Sequence, residues 1–152
     1  MREILFRGKR VSNGEWVIGG IIKVFHPNYD CENEEEFLSQ KPNCYCICAK
    51  NKDFFVEQAS IGQYTGLTDK NGNKIFEGDI VKNNRKEISV VTYGRHNIGC
   101  CGCCYDSHDS VGFYLKDEFG HAESDEDVWT DVEIIGNIHD NPELLESEVT
   151  EE

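Results

Sequence analysis

The sequence predicts a mainly β protein built as two small sheets or partial barrels, with short helices near 32–40 and 142–148. Three observations predict it. Short runs rich in Val, Ile, Phe and Tyr recur at 16–24, 54–56, 87–93, 111–116 and 132–139, and such runs suit a pleated, half-buried surface. Turn formers separate them, as in Ser12-Asn13-Gly14 and Asn71-Gly72. One stretch, 57–82, combines strand pattern, turn chemistry and small residues, and the rest of the chain is arranged about it.

In chain order, 3–7 alternates weakly and reads as a first strand, and 11–15 as a turn. Strand resumes over 16–24, with Trp16, Ile18, Ile21, Ile22 and Val24 as its apolar side. Gly19-Gly20 marks a bulge or bend there, because glycine relieves the Cβ clash. No helix start follows the pair, so it does not read as a phosphate cradle. Residues 26–42 form a looser connection. Glu32, Glu34, Glu35 and Glu36 before Phe37 and Leu38 allow one or two helical turns, too short to be stable alone. A surface loop anchored by Phe37 is the preferred reading.

In 43–49, NCYCICA, alternation puts Cys44, Cys46 and Cys48 on one face of a strand and Tyr45 and Ile47 on the other. The thiols serve there as small apolar groups in a strand buried on both faces, or as metal ligands. Then 61–67 alternates and Asn71-Gly72 supplies a tight turn, since both residues tolerate positive φ. Glu77-Gly78-Asp79 is a second turn, with Asp79 capping it through its own carboxylate. Strands follow at 79–82, 87–93, 111–116 and 132–139. His139-Asp140 beside Asn141-Pro142 reads as turn chemistry. Pro142 suits a first helical turn, and Leu144 and Leu145 anchor it. Residues 146–152 read as an acidic, frayed tail.

Length fits one domain over 1–145, or two β subdomains meeting near 57–82. The net charge of −14 is unevenly placed. Residues 1–116 carry 15 acidic and 15 basic side chains, whereas 117–152 carry 14 acidic and no Lys or Arg. The plain reading is a solvated surface that keeps the protein soluble. The sharper one is a negative face for a basic partner, or an imitation of nucleic acid; Trp129 then reads either as its apolar anchor beside Asp125, Glu126 and Asp127 or as a core residue. Direct binding to nucleic acid is disfavoured, because no Lys/Arg cluster stands ready to replace phosphate counterions. No 18-residue apolar run predicts a membrane span. The start lacks a signal's apolar core, so a cytoplasmic protein is expected. Its eight cysteines then stay reduced unless a metal holds them.

One constellation has chemical potential. Between Tyr93 and Ser110, Cys100 with Cys103 and Cys101 with Cys104 form two C-x-x-C pairs, near His96 and His108. Two thiolates at that spacing reach one zinc, and Cys44, Cys46, Cys48 or either His is a candidate to complete four ligands. The competing reading is a packed, reduced cluster on a hairpin loop. No βαβ pattern surrounds it, which disfavours thioredoxin-type redox chemistry. No G-x-S-x-G, Walker or H-E-x-x-H motif occurs, so no catalytic or cofactor-binding residue is assigned and the chain does not read as an enzyme.

IGQYTGLTDKNGNKIFEGDIV, 61–81, resembles the signature of the YopX-like family of phage and prophage proteins. ILFRGKRVSNGEWVIGG, 4–20, and EIIGNIHDNPELL, 133–145, resemble its two ends. The E-G-D-I-V start also resembles small SH3-like barrels, a likeness of fold alone. The resemblance implies a small, mainly β phage protein without an established activity or catalytic residues, and the family pattern does not require the cysteines. The expected function is therefore that of a non-catalytic phage accessory protein of the bacterial cytoplasm, acting through protein–protein contacts as a homo-oligomer. The alternative is a zinc-stabilised acidic module that inhibits a nucleic-acid-binding host protein.

Overall fold

In the computed structural model, which describes residues 3–25, 44–98, 108–124 and 126–146, the backbone is mainly β. One sheet curls into a half-barrel and the others are small. The helix expected near 32–40, the cysteines from Cys100 to Cys104, and the tail from 147 onward lie outside the described residues. The chain divides into two compact units, Met1–Tyr64 and Thr65–Glu152.

The first unit opens with a hairpin of β1 (Phe6–Lys9) and β2 (Trp16–Gly19), in which Arg7 faces Ile18 and Lys9 faces Trp16. The start of β6 (Gly62–Thr68) pairs along the other side of β1. A second sheet is a meander of β3 (Ile21–Phe25), β4 (Cys44–Ala49) and β5 (Lys52–Val56). The run expected as one strand over 16–24 is thus two strands in two sheets, divided at Gly20. Gly19 shows why small residues stand there. A Cβ on it would lie 2.0 Å from the Cys48 carbonyl oxygen, so β2 packs directly on the backbone of β4. Cys46 and Ile47 point to opposite faces of β4 and are both fully buried. The strand is thus buried on both faces at its centre. The β4–β5 connection is a two-residue turn, with Lys50 and Asn51 both at positive φ (51° and 62°). This is the hairpin turn whose twist matches the flanking strands, made here without glycine.

In the second unit β6 runs on to Thr68 and turns through 69–73 into β7 (Lys74–Phe76). Then come β8 (Asp79–Lys82), β9 (Ile88–Ile98), β10 (His108–Asp117), β11 (Ala122–Glu123), helix α1 (Glu126–Thr130) and β12 (Glu133–Asn137). The sheet order is β11-β10-β9-β8-β12, antiparallel throughout. β9 and β10 exceed their predicted lengths and form one continuous ladder from Ser89↔Asp117 to Ile98↔His108. A 3-10 turn, Pro142–Leu145, stands where a helix over 142–148 was expected.

Ile75, Val81, Val91, Leu115, Trp129 and Val132 form the core of this unit. Burying a side chain of this size contributes about 1.5–3 kcal/mol. Trp129 is only 6% exposed, because α1 turns the indole inward against the sheet. Of the two readings of Trp129, anchor of an acidic surface patch or core residue, the core one holds.

Candidate interaction groove

The residues of the central stretch do structural work. Asp69 is 5% exposed and directs its carboxylate into the loop that follows β6. Its Oδ1 accepts the N–H of Asn71 (2.9 Å) and of Asn73 (2.8 Å). Its Oδ2 accepts the Asn73 side-chain amide (3.1 Å) and the Ile134 N–H (3.2 Å). Burial by itself would raise the Asp69 pKa, but these donors outweigh it and hold the carboxyl below its usual range. Asp79, 1% exposed, accepts the Phe76 N–H at 2.7 Å, which is the capping role expected of it. Asn137 Oδ1 accepts the N–H groups of both His139 and Asp140, so His139-Asp140 is turn chemistry.

Of the proposed metal ligands, Cys46 is sealed in the core of the first unit, and the Cys48 thiol donates to the Asp53 carboxylate. His96 is 7% exposed and stacks on Tyr114 with ring centroids 4.5 Å apart. Its Nδ1 lies 3.3 Å from the Gly94 carbonyl, while its Nε2 is buried without a partner. Among the described residues no three His, Cys, Asp or Glu side chains gather as a metal site.

The concavity of the second unit lies elsewhere. A half-open groove of about 430 Å³ runs along one face of β9 and β10. Ile88, Val90 and Thr92 alternate along β9 and form its floor. Leu144 and Leu145, held over it by the 3-10 turn, form one wall, and Lys116, Asp117 and Glu118 the other. The lining surface is mostly apolar, with Thr92, Lys116, Asp117 and Glu118 as its polar members, and it suits an apolar ligand group.

Beside the groove stands the β10–β11 turn. Asp117 Oδ1 accepts the His121 N–H (2.7 Å), and Oδ2 accepts its Nδ1–H (2.8 Å). Burial pushes Asp117 up, but the His121 bonds and charge outweigh it, and the carboxyl sits below its usual range. The same turn is closed by backbone bonds from Gly120 N to Asp117 O and from Asp117 N to His121 O, both 3.1 Å. At its tip Phe119 is 77% exposed. The sequence reading assigned no role to Phe119 or the groove. Its one local signal was a large apolar residue inside the polar turn Glu118–His121.

Among the described residues no helix is long and apolar enough to cross a membrane. A search of curated proteins gives no match. A family model described as YopX protein matches residues 5–146, nearly the whole chain and all three motifs quoted above. The chain therefore belongs to the YopX protein family.

Proposed function

We propose that this chain is a phage-associated accessory protein of the bacterial cytoplasm that works through protein–protein contact, as a homo-oligomer and without catalysis. The observation that carries this reading is the open apolar groove beside an exposed aromatic side chain on a hydrogen-bonded turn. Exposed apolar surface with shape is the usual mark of an interaction site. Light scattering across a concentration series tests it, with a mass above the 17.3 kDa of one chain expected. A single-chain mass at every concentration sinks the homo-oligomer.

A second reading, the zinc-stabilised acidic module, is favoured by the β9–β10 register. Pairing of Ile98 with His108 closes the connection 99–107 at its base, and that connection holds both C-x-x-C pairs. About one equivalent of zinc that survives dialysis and is released by thiol modification would support it. Folded protein purified metal-free would end it.

A further inference from the structure

We infer that two copies of this chain associate by exchanging Phe119, each placing its phenyl ring in the other's groove between the β9 floor and Leu144–Leu145. The inference rests on the homo-oligomer reading above and names its contact. A space of about 150 Å³ is enough to take a benzene ring, and the groove offers about 430 Å³. Phe119 directly follows Glu118, a lining residue, so its backbone stands at the groove's edge. A two-fold axis near that rim makes each copy both donor and acceptor, and the contact closes on itself as a dimer. The Asp117–His121 turn holds the ring out in advance, which lowers the entropy lost on docking.

Charge favours the same arrangement. Lys116 and Glu118 lie on the groove's edge, and among the described residues neither has an ion partner. In the two-fold exchange Lys116 of each copy faces Glu118 of the other. Rim pairs of this kind set orientation and specificity more than affinity.

Sedimentation of the full chain at about 0.15 M salt tests the exchange. Phe119→Ala is expected to weaken association at least tenfold, roughly the effect of losing a central aromatic anchor. Lys116→Glu and Glu118→Lys each weaken it several-fold, and the double variant carrying both returns to within about twofold of the parent. All three positions changed are exposed, and unchanged melting confirms folding. If the parent associates and these variants associate equally well, the exchange is wrong while the homo-oligomer stands. If the parent is a single chain at every concentration, both fall. If the Ile88 and Leu144 methyl signals move on deleting 147–152 rather than on dilution, the groove belongs to the chain's own tail and the exchange is overturned.

Discussion

At the scale of single residues, Asp69 joins two motifs that stand far apart in the sequence. It sits in the central stretch, yet one of its oxygens holds the N–H of Ile134 at the start of β12. Its neighbours extend the seam: Lys70 N donates to Val132 O at 3.0 Å, and Lys70 Nζ meets Glu133 at 2.5 Å. The Lys70 bond and charge hold the exposed Glu133 carboxyl below its usual range. Asp69→Ala leaves three backbone N–H groups without their acceptor, and bonds to a charged group are worth about 1.5–3 kcal/mol. A loss of about 2–3 kcal/mol in urea unfolding is expected, and a loss under about 0.5 kcal/mol would show that the loop holds without the carboxylate. The pH dependence has a definite sign. Because the folded pKa of Asp69 is depressed, its stabilisation is full above the unfolded value of about 3.9 and fades as pH falls through the folded value. The parent should therefore lose more stability than Asp69→Ala between about pH 6 and pH 3. Parallel pH profiles for the two proteins would contradict this.

At the scale of elements, glycines that look alike in sequence do different things. Gly19 is needed for space, since its missing Cβ makes room for the Cys48 carbonyl. Gly72 is needed for conformation: its φ is +84°, and nothing lies within 4 Å of where a Cβ would go. Gly19→Ala should cost about 3 kcal/mol, the upper end of overpacking, and Gly72→Val about 1–2 kcal/mol of backbone strain. Equal melting shifts for the two would deny the distinction. The Lys50-Asn51 turn offers the converse test. A lysine at φ 51° is strained, so Lys50→Asn with Asn51→Gly should raise stability by about 1 kcal/mol. An unchanged or lowered melting point would argue against that turn geometry. These cases show what was legible. Strands β8, β9 and β12 announced themselves through β-branched residues, β10 through Val111, Phe113 and Tyr114, and Asn71-Gly72 through its dipeptide. The Lys50-Asn51 turn carries no such dipeptide. β11 has two residues and α1 a single turn, too short for any period to register. The groove was invisible because Ile88, Val90, Leu144 and Leu145 meet only once the sheet and the last turn are formed.

At the scale of the molecule, the two units divide the charge unequally. Residues 65–152 hold 20 acidic and 7 basic side chains, a net of −13, while residues 1–64 net −1. Ion pairs within the second unit oppose that excess. Lys70–Glu133 and Arg95–Asp109 are two such pairs among the described residues, and both are exposed. Exposed pairs contribute about 0–1 kcal/mol each, and salt weakens them. Salt also screens repulsion among the unpaired carboxylates, since the Debye length falls from about 30 Å at 0.01 M to about 3 Å at 1 M. Repulsion is the larger sum here, because the unit carries a net charge of −13 and the pairs named are exposed and weak. The melting temperature should therefore rise as salt increases from about 0.01 M to about 0.3 M. Deleting 147–152 removes Glu148, Glu151 and Glu152 and should shrink the rise while leaving the high-salt melting temperature unchanged. A melting temperature that falls with added salt would mean that the attractive pairs, and not the acidic excess, govern this fold.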